Sequence, residues 1–272
     1  MNSVKNTSGT RLLGGNIDAV IAAPSQNLSF SITGATPSPR IDSRTESNTH
    51  ALVKIPELEA EQIFESRIDI EYRTASLSFR LDELIPSGDF KNLDEYCRAA
   101  KFWEIKDPLI RQTSERIRRS SSNLEDFLSG VFVWLRNNVK LREPQPVRLG
   151  AAGAIRERTG DCDELSDLFI ALCRAAGVPC RRVVGLFYHA REDCQKSFDW
   201  HAWAEVKLSN NVWVPFDPSL DFYAKISERH IPRCCMGRRS DYPIRKLSWR
   251  SRPIKPPILN DDDVQNVTAL SS

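Results

Sequence analysis

Cys162, His201 and Asp217 are the residues whose types and settings can do chemistry together. Cys162 lies in the run TGDCDELSDLFIALCRAAGVPC, where it opens a segment of strong helical pattern. The first amides of a helix have no partners within it, and the helix dipole favours an anion there. A thiol at that place is therefore drawn toward its thiolate. Asp161 and Asp163 act against the thiolate and read as ordinary acids at a helix start. His201 and Asp217 bracket WHAWAEVKLSNNVWVPFD. A carboxylate beside an imidazole fixes its tautomer and stabilises the imidazolium, and an imidazolium beside a thiol lowers the thiol pKa. The result would be a nucleophile, a base and an orienting group, the equipment for attack on an acyl carbonyl. Taken singly, the three also read as a buried structural thiol, a structural histidine and a turn-forming Asp before Pro218.

The elements needed to position them are legible. Over Cys162–Ala176, Leu165, Leu168, Phe169, Leu172 and Ala176 share one helical face. Gly177 supplies the stop and Pro179 prevents continuation. Gly160, just before the cysteine, permits a sharp turn or a close approach. Strands are expected at Arg182–Tyr188, Trp200–Leu208 and Val212–Phe216. The last two are close enough for a hairpin through Ser209-Asn210-Asn211. Ala202, Ala204, Val206 and Leu208 form one apolar row, and Val212, Val214 and Phe216 form the other. Both rows share a face only if opposed residue numbers have an even sum. A loop centred on Ser209 sets position 201 opposite 217, and one centred on Asn210 leaves them one diagonal step apart. Both registers project His201 and Asp217 from the same side.

With these blocks in view, the sequence resembles the transglutaminase-like superfamily. Gly160, Cys162, Ser166, Leu168, Leu172, Arg174, Gly177, Pro179 and Arg181 match its cysteine block. Trp200, His201 and Trp203 match its histidine strand, and Asp217, Pro218 and Ser219 its D-P-(S/T) signature. The likeness covers about residues 120–220. It implies an α+β fold with a papain-like core, in which the cysteine helix packs on an antiparallel sheet. It further implies Cys162 as nucleophile, His201 as general base and acid, and Asp217 as orienter. The expected reaction is acyl transfer from an amide or peptide bond through a thioester, to water or to an amine. A protein or peptide is the expected substrate, with a small amide as the lesser form. Trp200, Trp203 and Trp213 are candidate walls of the site, although strand aromatics packed in the core would look the same.

Competing classes have less support. An acyl-CoA-dependent N-acyltransferase shares the order of Cys, His and Asp, but its R-G-G-x-C signature is not matched at residues 158–162. A peptide:N-glycanase would carry paired CxxC motifs upstream. A non-catalytic binding module on the same fold would have an unreactive Cys162. No cofactor or metal is expected. The adjacent Cys234-Cys235, with His230 nearby, lacks the usual ligand spacer, and His50 and His189 show no partner pattern.

The remaining sequence frames this core. Residues 1–50, rich in Ser, Thr, Asn, Gly and Pro, read as a disordered leader, with Ile17–Ala23 too brief for more than a stray element. Residues 51–119 read as a strand and helix region. It holds an alternating segment, Arg67–Leu81, a helix near Leu93–Trp103 and one opening at Asp107-Pro108. The catalytic core is expected over 120–222, opening on a helix capped by Asn123 with a stripe of Leu124, Phe127, Leu128, Val131, Leu135 and Val139. Residues 223–272 read as a C-terminal extension that becomes a tail from about 250. The net charge of +2, from 38 basic and 36 acidic residues, gives no electrostatic case for nucleic acid. Apolar runs fall far short of the ~20 residues that span a bilayer. Seven cysteines, an odd number, fit a reducing compartment. Without a secretory h-region the cytoplasm is expected, unless residues 1–50 carry an unrecognised export signal.

Overall fold

The helices follow from their caps and apolar stripes. The computed structural model describes all residues except 1, 9, 44–46, 85–93, 191–195, 210–211, 242–243, 251–257 and 262–272. A helical turn, α1, covers Leu81–Leu84, and α2 runs Pro108–Arg119 with the Asp107 carboxylate accepting from Leu109 N and Ile110 N. Helix α3, Leu124–Asn138, starts where the Asn123 side chain accepts from Asp126 N at 2.8 Å. Such a cap contributes about 1 kcal/mol. Helix α4, Gly150–Glu157, was not anticipated, because the small residues of GAAGAIRE give no apolar stripe. Helix α5, Cys162–Ala175, ends before Gly177 at φ +77°. Phe127, Leu128, Val131 and Leu135 of α3 pack with Leu165, Leu168, Phe169 and Leu172 of α5 in the main core. The helix expected near Leu93–Trp103 does not form. Asp94–Cys97 make one 3-10 turn, and Ala100 and Trp103 bond to each other through their backbones. Trp103 is fully buried and its indole donates to Asp167, an anchor that a local periodicity cannot reveal.

The sheet beside α5 has the order β13-β12-β11-β10-β15 and is antiparallel throughout. Its strands are β10 (Cys180–Ala190), β11 (Lys196–Ser209), β12 (Val212–Asp217), β13 (Phe222–Tyr223) and β15 (His230–Met236). Ala204, Val206, Leu208, Val214 and Phe216 enter the same core as α5. This is the α+β arrangement of a papain-like core, with the cysteine helix on an antiparallel sheet. Short pairs complete it: β7 (Leu77–Ser78) with β14 (Lys225–Ile226), and β8 (Lys140–Leu141) with β9 (Thr159–Gly160).

The expected disordered leader is a correction. Residues 2–55 supply β1 (Asn2–Lys5), β2 (Gly15–Ala22), β3 (Leu28–Thr36), β4 (Arg40–Ser43) and β5 (Thr49–Ile55). These join β6 (Ile63–Thr74), β16 (Arg245–Trp249) and β17 (Ile258–Asp261) in two four-stranded sheets, β17-β1-β6-β3 and β16-β2-β5-β4. The sheets face each other through Val4, Ile17, Val53, Ile55, Phe64, Ile68 and Leu247. Each strand gives the core only alternate residues, so a Ser- and Thr-rich segment still folds when its partners are present. The last strands come from the chain's other end, so the C-terminal extension gives β15 to the core sheet and β16 and β17 to the sandwich. Most of the expected tail lies outside the described residues. The sandwich meets the core sheet where the Arg233 guanidinium donates to Val20 O and Ala23 N to Pro232 O.

Candidate active site

The cysteine is placed by the start of α5. Asp161 caps the helix, its carboxylate taking Asp163 N and the N3 amide while Glu164 reaches back to Asp161 N at 3.1 Å. These bonds satisfy the amides around Cys162 and leave its own N–H outside the capping network. Gly160 is required here, since a Cβ would lie 2.4 Å from Glu164 Cβ. Gln145 N donates to Asp161 Oδ2, and Leu149 N to Glu164 Oε1, so the 142–149 loop is tied to the same turn. The negative field of Asp163 is met by Arg182, which is almost wholly buried and bonds both Asp163 and Asp167. Arg148 holds Asp167 from the other side, Nε to Oδ2 at 2.7 Å. Thus, of the two acids that the sequence sets against a thiolate, Asp163 is paired with a guanidinium group and Asp161 is taken up by backbone amides.

The histidine strand meets the helix beyond the end of a ladder. β11 and β12 pair Ala204 with Phe216 and Val206 with Val214, the register that leaves His201 and Asp217 diagonal. Pairing stops at Ala204, and the Ala202 carbonyl is taken by Ser166 Oγ at 3.0 Å. One helical turn past Cys162, this buried bond fixes α5 against the strand of His201. On the other side Gly185 pairs with His201, and its bare Cα lets β15 close in, since a Cβ would stand 2.1 Å from Ile231 O.

His201 Nε2 lies 2.6 Å from Asp217 Oδ2, and the Cys162 thiol is within hydrogen-bond reach of the same ring. With Nε2 directed at the carboxylate, Nδ1 is the nitrogen turned toward sulfur. Burial disfavours the imidazolium, but the hydrogen bonds and charges of Asp217 and Cys162 outweigh it. The His201 pKa is pushed up to about 10. Asp217 would be raised by burial, yet its imidazole partners and Ser219 hold it well below the usual carboxylate range. Its second oxygen accepts from Ser219 N, Ser219 Oγ and Leu220 N, so the turn after Pro218 fixes the carboxylate.

A residue that the sequence reading assigned elsewhere completes this cluster. His230 Nε2 is 3.3 Å from Asp217 Oδ2, and Ser227 Oγ is 2.9 Å from His230 Nδ1. Burial, aided by the charge on His201, lowers its pKa although Asp217 opposes this. His230 is therefore the neutral ring, with Nε2 donating to Asp217 and Nδ1 accepting from Ser227. Phe187, Trp203 and Phe222 set their rings around it at 4.8, 5.2 and 5.1 Å. Only a distant strand, β15, brings it here, and no spacing near the motifs signals it.

The expected aromatic walls are corrected in part. Trp203 is fully buried, stacked beside His201 and packed with Val183, Ile226 and Cys235. Trp213 lies on a separate cavity with Arg181 and Lys207. Trp200, next to His201, is 39% exposed. Strand alternation separates Trp200 from Trp203, whereas Trp203 and Trp213 share a face and differ in what packs over it. A Cys234-Cys235-His230 clip does not form: Cys234 packs in the helix-side core and Cys235 in the opposite cluster. The ligand atoms of His201, Asp217 and His230 do lie within 4.8 Å of one another, as do those of Asp161, Cys162 and Asp163. A cation at the first group would have to displace the bonds that Asp217 makes to both rings. His50 and His189, unpartnered in the sequence reading, meet Asp18 at 2.7 Å and Asp199 at 3.2 Å.

Residues 111–218, which hold all three residues of the relay, match the model of the transglutaminase-like superfamily. That segment belongs to the superfamily. Members of the transglutaminase-like superfamily are generally cysteine proteases or acyltransferases. The whole chain, sandwich included, superposes on a crystal structure described as a candidate cysteine protease from Cytophaga hutchinsonii. The TM-score is 0.61 at 15% identity, covering 100% of this chain and 92% of the other. That likeness establishes a shared fold. The periplasmic domain of TgpA from Pseudomonas aeruginosa is more distant, with a TM-score of 0.42 at 16% identity over 79% of this chain and 72% of that domain. The uncharacterised protein YebA of Bacillus subtilis is 24% identical over 163 residues, 53% of this chain. The match spans only 22% of YebA. Among the described residues no helix is long and apolar enough to cross a membrane.

Proposed function

We propose that the protein is a cysteine-dependent acyl-transfer enzyme acting on an amide or peptide bond, with Cys162 as nucleophile, His201 as general base and acid, and Asp217 as orienter. The observation that carries this reading is a buried imidazole bonded at 2.6 Å to a buried carboxylate, with the Cys162 thiol near enough to help hold that imidazole in its charged form. The Cys162 sulfur attacks the acyl carbon, and the C=O electron pair moves onto oxygen. The Cys162 backbone N–H is the nearest candidate to receive that oxyanion, a donor worth ~2.7–4 kcal/mol in comparable sites. Collapse of the intermediate breaks the C–N bond as His201 delivers its proton to the leaving amine. The thioester is then opened by an acceptor whose proton returns to His201.

Water is the favoured acceptor. Trp203 is packed in the core and Trp213 faces another cavity, so of the three tryptophans only Trp200 is left to line an approach for an amine. The test uses a peptide library with and without a labelled primary amine, read by mass spectrometry. Cleavage or deamidation without amine incorporation supports the hydrolase, and incorporation supports a transferase. Both products must vanish in Cys162→Ala. A product profile unchanged by that substitution would remove the thiol from the reaction, and no product from the folded parent would leave a binding module on this fold.

A further inference from the structure

A cavity of about 360 Å³ lies apart from the relay on the core sheet. Two cross-strand pairs build it: Arg181 of β10 faces Glu205 of β11, and Lys207 of β11 faces Trp213 of β12. Glu205 is four residues from His201 along β11, about 13 Å at ~3.3 Å per residue. The fully buried Trp203 stands between them, and the cavity shares no lining residue with Cys162, His201, Asp217 or His230.

The charges of the described residues in it are not balanced. Arg181 and Glu205 form a buried pair, Nε to Oε2 at 2.7 Å, with the guanidinium also 4.2 Å over the Trp213 ring. Lys207 extends over the same ring at 5.2 Å and makes no ion pair with a described carboxylate. Desolvation and the charge of Arg181 lower its pKa, as befits an ammonium held near a dry wall beside a like charge. Among the described residues one positive charge is thus in surplus. The sides are flat and apolar: Trp213 with Tyr96 set edge-on at 5.0 Å, together with Leu77, Phe79 and Pro215. Ser25 and Gln26 line the cavity as further hydrogen-bonding groups.

We propose that this cavity binds a small planar organic monoanion, an aryl or heteroaryl carboxylate, with its carboxylate on Lys207 and its ring against Trp213. A single surplus charge matches one carboxylate, while Glu205 repels a more highly charged anion. The volume lies at the lower end of the usual range for small-molecule sites, which limits the occupant to one or two rings.

The test is calorimetric titration of the full chain with benzoate, phenylacetate and indole-3-carboxylate, with benzamide and benzylamine as neutral and cationic matches. At least one carboxylate should bind saturably, and its amide and amine counterparts should not. Lys207→Met should weaken binding on the order of tenfold, the loss of one charge-assisted hydrogen bond, whereas Lys207→Arg should keep most of it. Alkylation of Cys162 in both variants should match the parent, which separates this site from the relay. Absence of binding by all three carboxylates, equal binding of benzoate and benzamide, or undiminished binding by folded Lys207→Met would overturn the proposal. Should Lys207→Met lose its fold, the comparison of each carboxylate with its amide in the parent chain decides alone.

Discussion

Replacing Asp217 by Asn should strip His201 of its charge. Asp217 Oδ1 accepts from two backbone amides and the Ser219 hydroxyl, whereas Oδ2 serves the two imidazoles. In the variant the amide oxygen must stay with the Ser219 and Leu220 N–H groups, so the NH2 points at His201 Nε2. A donor now faces a donor, and His201 keeps that bond only by losing its Nε2 proton. The parent imidazole, raised from 6.5 to about 10, is about 99% protonated at pH 8. In the variant its pKa should drop to 6.5 or below, leaving ~3% protonated at that pH. The difference corresponds to roughly 5 kcal/mol of imidazolium stabilisation, an order-of-magnitude figure. Nitrogen-15 shifts of the imidazole, recorded from pH 5 to 11, report its protonation directly. Iodoacetamide alkylation of Cys162 at pH 7 should slow on the order of a hundredfold, since the thiolate loses its counter-ion. A parent His201 found neutral at pH 8, or alkylation indifferent to the substitution, would refute the reasoning.

The same groups set a pH window for stability. His201, with its pKa raised on folding, contributes stability that is complete below 6.5 and lost as pH rises toward about 10. Asp217, held low, contributes above its unfolded value of 3.8 and loses that contribution on acidification below it. Chemical denaturation of parent and Asp217→Asn should therefore show its widest gap between pH 3.8 and 6.5, narrowing toward pH 10 and beginning to narrow below pH 3.8. His230→Phe should retain the fold yet free one lone pair of Asp217, slowing turnover about tenfold at constant KM, as steady-state kinetics can show. Arg182→Met leaves Asp163 uncompensated and Asp167 short of one partner, so denaturant midpoints should fall by about 3–5 kcal/mol in stability. Gly185→Ala drives a methyl into Ile231 O and should part β15 from β10, visible as loss of amide-exchange protection across residues 230–236.

What the sequence determined by itself is local. The Asp107 and Asn123 caps, the α5 stripe and the alternating rows of β11 and β12 are short-range consequences of side-chain period, and they appear where expected. The fold of the core, and a common side for His201 and Asp217, follow from those periods, because a register of either offset keeps the parity. What needed tertiary structure is whatever depends on a distant partner. Residues 2–43 form strands only against distant partners: β1 and β2 pair with 258–261 and 245–249, and β3 and β4 with β6 and β5. Trp203 and Trp213 look alike in sequence as strand aromatics near the histidine, yet one is sealed in a core and the other opens on a separate cavity. His230 shows the limit most clearly. It reaches Asp217 from β15, which pairs with β10 and not with the β12 that carries Asp217, and strand order in a sheet is set by global packing that no local pattern encodes.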